Sequence, residues 1–403
     1  MINPNPPLKQ KKVVIAGAYG CGNIGDDAIL AGLLRLFDPR LWEVTVLAAG
    51  IPNILAFNHV RIVRQRLNLG LSWSVFRAFH ISGILSVIRQ ADILVIGGGA
   101  LLHDIRFYNL PYFFTLHSWA KFWKTRVVYL DIGAGPIRTT FGKWLCRCFL
   151  SRADYISVRD KNGKEELIRA GVKRDVFVTA DPAFLLTPAD VPDNIQEIAI
   201  NESLPDTYIA VTVCGWFKSE DFWNQSDIDL SRPIQRTAEI LDWIVEKTGK
   251  PLVFIPTVVP YDRELAKQIR EKMIYHDHLQ WLQKDYPVEI LLGLFGKAEW
   301  LFGMRLHSMI LSTIMGVPFF AVVYDQKVTH FMEAQNNPHR ILLNEIYREI
   351  IFKKLESFIK AAPKIADRLN TCSAQFRQGL RNRDQQIRTF LSIQSSEKGV
   401  YES

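Results

Sequence analysis

The chain has 403 residues, 48% apolar and 22% charged, a composition that excludes a disordered or collagen-like protein and supplies enough apolar material for two cores. Five cysteines (Cys21, Cys146, Cys148, Cys214, Cys372) are too few and too irregular for a disulfide framework, and Cys146 and Cys148 are too close for a zinc-ribbon pair. The net charge of +8 points to anionic partners, but no recognition motif accompanies it, so nucleic acid is not expected.

The first residues are polar and proline-rich, and the apolar run 13–18 is too short for the hydrophobic region of a signal peptide. From there, short β-branched runs alternate with longer helical periodicities, the pattern of parallel strands covered by helices. The first strand is expected at 13–16 and its helix at 28–37, with further strands at 44–48, 93–96, 127–132, 155–158 and 176–178. Arg77, His80, serines and glycines interrupt the apolar stretch 67–88, which suits an amphipathic or buried helix better than a membrane span. Residues 138–152 read as a helix in which Arg138, Lys143, Arg147 and Arg152 alternate with Trp144, Leu145, Phe149 and Leu150. This is either a packed helix with solvated basic residues or a face for anionic lipid headgroups or an anionic acceptor. Pro182, Pro188 and Pro192 make 181–194 an expected interdomain passage. A second α/β set follows, with strands at 208–213, 252–255, 288–292, 300–302 and 319–324 and helices at 235–246 and 306–315. Beyond it, 342–362 and 377–393 are expected as two helices, and 394–403 as a frayed polar tail.

Glycine loops follow three of the strands. The first, GAYGCGNIGDD at 17–27, matches the G-x-G-x-x-G spacing through Gly20, Gly22 and Gly25. Asp26 and Asp27 argue against a dinucleotide there, because two carboxylates would oppose a pyrophosphate at the helix terminus. The second strand also ends without the acidic residue that would hold a ribose. Helix capping, acceptor binding and base chemistry remain open for the pair. IGGGALLHD at 96–104 places Gly98 and Gly99 for close backbone approach and offers Asp104 either to sugar hydroxyls or as a cap. IGAGP at 132–136 is the third loop, and together the three outline a cleft.

The densest chemistry lies at 303–308, GMRLHS. Arg305 and His307 would diverge by about 200° on a continuous helix, but at a strand–helix junction both can address one ligand. Arg305 can grip a carboxylate or phosphate through paired donors, supplemented by helix N-terminal amides. His307 can exchange a proton near neutral pH. Ser308 suits either a ligand or a cap, and YDQKV at 324–328 adds Asp325 and Lys327 after the next strand.

Taken in order, these motifs resemble the polysaccharide pyruvyl transferase family, which includes bacterial cell-surface enzymes that modify lipid-linked cell-wall sugars. The resemblance is carried by GCGNIGDDA at 20–28, IGGGALLHD, ISVRD at 156–160, TADPAF at 179–184, GMRLHS and GVPFFAVVYDQKV at 316–328, and spans roughly 12–332. It implies an α/β fold of two facing Rossmann-like domains in a GT-B-like arrangement. It also implies phosphoenolpyruvate as donor substrate, a saccharide acceptor and a pyruvate ketal product, with no cofactor. Arginine and lysine can supply the positive charge, so no metal is required.

Carried onto this chain, the resemblance gives Arg305, Leu306, Arg159 and Lys327 to donor binding and His307 to proton chemistry. Asp26 is expected as a second base or an acceptor-orienting residue. Gly22, Asn23, Gly25, Asp27, Gly98, Gly99 and Asp104 are expected as acceptor-binding or loop residues. Where the family commonly reads GDE, this chain reads GDD at 25–27, which keeps the charge and shortens the reach. The expected division is an N-terminal acceptor-side domain at 1–190, a C-terminal phosphoenolpyruvate-side domain at 191–340, and a helical extension with polar tail at 341–403. A cytoplasmic location, with peripheral contact to anionic membrane through 138–152, would suit a lipid-linked acceptor. A GT-B-type nucleotide-sugar glycosyltransferase and a nonenzymatic glycan-binding protein are the alternatives.

Overall fold

The computed structural model describes residues 10–55, 59–64, 78–214 and 231–397. Its first sheet contains β1 (Lys11–Ala16), β2 (Trp42–Ala48), β3 (Val60–Arg64), β4 (Ile93–Gly97), β5 (Ala100–Leu102), β6 (Arg126–Ala134), β7 (Tyr155–Val158) and β8 (Phe177–Val178). The strands are parallel in the order β3-β2-β1-β4-β6-β7-β8, with β5 beside β6. Its connecting helices are α1 (Ile24–Leu34), α2 (Ala78–Gln90), α3 (Asn109–Phe122), α4 (Thr140–Leu150) and α5 (Lys161–Arg169). After α6 (Ile195–Asn201), the second sheet contains β9 (Tyr208–Thr212), β10 (Leu252–Phe254), β11 (Leu279–Trp281), β12 (Ala298–Gly303), β13 (Phe319–Val323) and β14 (Arg340–Leu342). These strands are also parallel, in the order β11-β10-β9-β12-β13-β14. The second set of helices is α7 (Ser231–Thr248), α8 (Tyr261–Arg270), α9 (Val288–Gly296), α10 (Leu306–Ile314), α11 (Gln326–Ala334) and the long α12 (Ile350–Glu397).

The central strands explain the architecture. Every residue of ILVIG in β4, YIAVT in β9 and FFAVV in β13 is buried, as required when helices cover both faces of a parallel sheet. The result is two Rossmann-like α/β domains in a GT-B-like arrangement. In each sheet the strand order reverses once, between β1 and β4 and between β9 and β12. Loops diverge at such switch points and leave a crevice at the carboxyl ends of the strands.

The two crevices face each other across a joint apolar seam. One continuous cluster of buried side chains takes in Ile29 and Leu33 of α1, Leu291 and Phe295 of α9, and Leu306 and Ile310 of α10. Backbone bonds cross the seam as well, with Ile24 N donating to Thr257 O at 2.9 Å and Val259 N to Gly22 O at 3.2 Å.

Three local expectations change. Residues 288–292 begin helix α9, whereas the sequence pattern suggested a strand. A short apolar run buried all round carries no period that separates the two states. The proline-rich stretch after Asp181 is not a free passage: Pro182–Leu185 is a buried 3-10 turn packed against α1. The two expected C-terminal helices are one 48-residue helix with Pro363 inside it. Of the stretch 67–88, residues from 78 onward lie in α2, and 67–77 fall outside the described residues.

Candidate active site

The C-terminal half of the site is a strand–helix junction. β12 ends at Gly303, Met304 N donates to Thr212 O at 2.8 Å, and Arg305 takes an extended conformation as the N-cap of α10. Ser308 fastens this turn, since its hydroxyl is fully buried, donates to Arg305 O at 2.6 Å and lies 2.7 Å from the Thr212 hydroxyl. Ser308 lies inside α10 and holds the turn without capping it, since the N-cap is Arg305 and no side-chain bond caps this helix. The Leu306 side chain is in the core, which leaves its helix-terminal backbone as the part that can meet a ligand.

Arg305 and His307 flank this turn and diverge to separate carboxylates. Arg305 Nη2 donates to Asp262 Oδ1 at 2.8 Å, and its buried Nε has no hydrogen-bond partner among the described residues. His307 reaches across the domain seam, with Nε2 3.6 Å from Asp181 Oδ2. Its ring lies against the first turn of α1 so closely that a Cβ on Gly25 would overlap it. Glycine at position 25 is therefore required by the approach of the histidine.

The N-terminal half is set by α1. Asn23 caps the helix by accepting from Gly25 N at 3.1 Å, and its amide donates to Asp26 Oδ2 at 2.7 Å. Asp26 faces the cleft, within electrostatic reach of both His307 and Lys327. Gly99 lies beside it, close enough that a Cβ there would be 3.2 Å from Asp26 Oδ1. Gly98 lets the end of β4 approach Ile29 of α1. Gly22 adopts a φ of +76° next to the Val259 carbonyl, where an L side chain would be strained.

The structure separates the neighbouring carboxylates by role. Asp27 turns away from the cleft, accepting Gly20 N at 3.0 Å and Asn53 N at 2.9 Å. Asp104 accepts Arg138 N at 2.9 Å and both the amide and hydroxyl of Thr139 at 2.6 Å, fastening the start of α4. Asp104 thus anchors the N-cap of α4, Asp27 fastens the loops at Gly20 and Asn53 without capping α1, and Asp26 is the carboxylate within electrostatic reach of His307.

Arg159 and Lys327 complete the positive side. Arg159 Nη1 is 3.3 Å from Asp181 Oδ2, so Asp181 is held between an arginine of its own domain and a histidine of the other. Burial works to raise the Asp181 carboxyl, but His307 and Arg159 outweigh it and hold it below its ordinary value. Lys327 Nζ is 3.1 Å from Asp325 Oδ2 and 5.6 Å from the Tyr324 ring centre, within electrostatic reach of Arg159. His103 also faces this cluster, and burial lowers its imidazole to about 4, which keeps it neutral at neutral pH. Among the described residues no group of three or more His, Cys, Asp or Glu side chains is arranged to hold a metal ion.

Asp26 has a testable electrostatic signature. Burial pushes its carboxyl up to about 6, with Asp27 adding to the rise and His307 opposing it. A carboxyl raised in this way holds its proton more tightly folded than unfolded, so its ionisation costs stability as pH climbs from the ordinary carboxylate range through about 6. Asp26→Asn is therefore expected to raise the thermal midpoint at neutral pH and to leave it unchanged near pH 4. If Asp26 works as a base, turnover rises through about pH 6 and the variant loses that limb. A wild-type pH profile retained by the variant would remove Asp26 from the chemistry.

Sequence reasoning missed two site residues. Asp181 stood inside the TADPAF motif but was given no role, because its partners Arg159 and His307 lie 22 and 126 positions away. Asp262, in the first turn of α8, had no signal at all in the sequence. A cavity of about 270 Å³ opens on the other side of the Gly22–Ile24 loop, lined by Asn53, Thr257 and Lys284 among others. Gly22 and Asp27 of the expected acceptor loop line it, and Arg159, Arg305, His307 and Lys327 do not.

Comparison with known proteins gives the family and the fold. The family described as "Polysaccharide pyruvyl transferase" matches residues 23–326. The amylovoran biosynthesis protein AmsJ of Erwinia amylovora is 23% identical over 370 residues, covering 81% of this chain and 86% of AmsJ. Among solved structures, HepE of Anabaena in complex with UDP-glucose superposes with a TM-score of 0.59 at 12% identity, covering 94% of this chain and 99% of HepE. UDP-GlcNAc 2-epimerase from Methanocaldococcus jannaschii gives 0.53 at 13% identity, over 88% and 92% of the two chains. At these identities the two structures speak for the fold alone.

Proposed function

The chain belongs to the polysaccharide pyruvyl transferase family, and from that premise we propose that phosphoenolpyruvate is its donor and a lipid-linked saccharide its acceptor. Its role is pyruvyl transfer in cell-surface polysaccharide synthesis, with formation of a ketal. The observation that supports the donor assignment is the clustering of three cations: Lys327 lies within electrostatic reach of Arg159, Lys327 and Arg305 both act on Tyr324, and Arg159 shares Asp181 with His307. Phosphoenolpyruvate carries a carboxylate and a phosphate, and fixed cations can orient both while favouring departure of the phosphate.

The reaction removes two protons from acceptor hydroxyls, delivers one to the donor methylene carbon and leaves the other to the departing phosphate. Protonation of the donor methylene by His307 leaves an oxocarbenium-like centre, which a sugar hydroxyl attacks. The carbon–oxygen bond to phosphate breaks, and a second hydroxyl closes the cyclic ketal. Asp26, opposite His307 and ionised above about pH 6, is placed to take a hydroxyl proton. Asp181 Oδ2, 3.6 Å from Nε2, keeps the imidazole oriented.

Parallel incubations of protein and acceptor with phosphoenolpyruvate or with UDP-glucose test the assignment by product mass. The expected product gains pyruvate less water, with release of one inorganic phosphate. Gain of a hexose, or no change with either donor, would overturn it.

The same reading puts the enzyme in the cytoplasm, at the inner face of the membrane. Among the described residues no helix is long and apolar enough to cross a membrane. On α4, Leu145, Cys146 and Leu150 face the core, while Phe141 and Trp144 stack on the outside with ring centres 5.9 Å apart. Exposed Lys143 and Arg147 flank them, a combination suited to an anionic bilayer surface. Sedimentation with anionic vesicles, weakened by Trp144→Ala, is the expected result. Failure to sediment with anionic or neutral vesicles would remove the membrane contact.

A further inference from the structure

Asp262 joins two parts of the site that lie in different domains. It is 1% exposed and uses both carboxylate oxygens. Oδ2 accepts from Thr257 N at 2.9 Å, Thr257 Oγ1 at 3.0 Å and Val258 N at 2.8 Å. Oδ1 accepts from Arg305 Nη2 at 2.8 Å. The stretch that Asp262 gathers is the one that crosses the domain seam, where Thr257 O accepts Ile24 N, Val259 N donates to Gly22 O, and Asn23 forms a bridge with Val258. Asn23 in turn donates to Asp26. An unbroken run of hydrogen bonds therefore leads from the guanidinium of Arg305, through one buried carboxylate and the seam, to the carboxylate opposite His307.

We propose that Asp262 is a positioning residue that couples donor binding at Arg305 to the seating of the Gly22–Asp26 loop against the C-terminal domain. A guanidinium held by one Nη atom keeps its remaining donors directed at an anion, and a buried carboxylate with four donors cannot shift toward one without disturbing the others. Anion binding that pulls on Arg305 is thereby felt by the Thr257–Val259 stretch, and an open seam leaves Arg305 misaligned. This inference rests on the reading of Arg305 as a donor-binding residue.

The test combines a double-mutant cycle with a measurement on the wild-type protein. Asp262→Asn keeps an acceptor for the loop amides but presents an amide to Arg305, so the donor KM should rise about tenfold with the acceptor KM nearly unchanged. In an Arg305→Gln background the same change should add little, because the partner is already gone. Additive effects on donor KM, or equal rises in donor and acceptor KM, overturn the coupling. In the wild type, phosphoenolpyruvate should slow amide exchange at Ile24 and Val259 by about tenfold. Unchanged exchange while ketal forms overturns the coupling alone. Absence of ketal from the wild type overturns the donor reading instead. Exchange with inorganic phosphate then decides the coupling, slowed amides supporting it and unchanged amides overturning it.

Discussion

His307→Ala should lower ketal formation by about 10²–10⁴-fold, the range contributed by a positioned acid or base, while the protein stays folded. Retention of the fold is expected because the ring contributes little to the core: it fills the seam between Gly25 and Asp181. Asp181 keeps Arg159 as a charge partner after the ring is removed. Donor KM should change less than turnover, since Arg305, Arg159 and Lys327 are still present to hold the anion. Circular dichroism and thermal melting verify the fold, and phosphate release with product mass gives the rate. Turnover within about threefold of wild type would leave no proton-transfer role for the residue.

Arg383→Ala should have the largest effect on stability, about 3–5 kcal/mol, because it leaves a buried carboxylate without its counter-charge. Arg383 on α12 and Asp131 in β6 are 1% and 0% exposed and approach to 2.8 Å. The contact is an ion pair without an aligned hydrogen bond from the guanidinium. Asp131 accepts from the Ser157 and Thr179 hydroxyls at 2.8 and 2.7 Å, and burial already pushes its carboxyl up. This pair fastens the C-terminal helix to the N-terminal sheet. Arg377 donates to Phe184 O at 3.2 Å nearby, and Arg388 to Leu36 O at 3.3 Å. Asp131→Asn added to Arg383→Ala should recover part of the loss, since it removes the unpaired charge, keeps an acceptor for the two hydroxyls and tolerates the φ of +51° at this position. Denaturant midpoints for the two single variants and the double variant check this. A single variant as stable as wild type would show that the pair does not hold the helix.

Much of the architecture was legible in the sequence, because a buried parallel strand must be an apolar run and glycine loops must follow where backbone approaches closely. The strands at 93–96 and 319–324 and the helix after Arg305 came out of that pattern. Residues 288–292 did not, because a buried helix and a buried strand look alike over five apolar residues. The C-terminus, where the pattern suggested two helices, is one continuous helix with Pro363 inside it. The carboxylates divide in the same way. The local pattern left the same roles open to Asp26 and Asp27, the family resemblance gave proton chemistry to Asp26, and the fold ties Asp27 to Gly20 and Asn53.

The sequence by itself named the candidate groups: Arg305 and His307 at a strand–helix junction, Asp26 at a helix start and Lys327 after a strand, with Arg159 added by the family resemblance. Those are local properties, set by residue type and by what a strand end exposes. The tertiary structure alone decided which carboxylate each group meets, because His307 and Asp181, Arg305 and Asp262, and Arg383 and Asp131 are joined by folding across distances that no local pattern records. Pairing of buried charges depends on where two sheets place their switch points, and that placement follows from packing the whole chain.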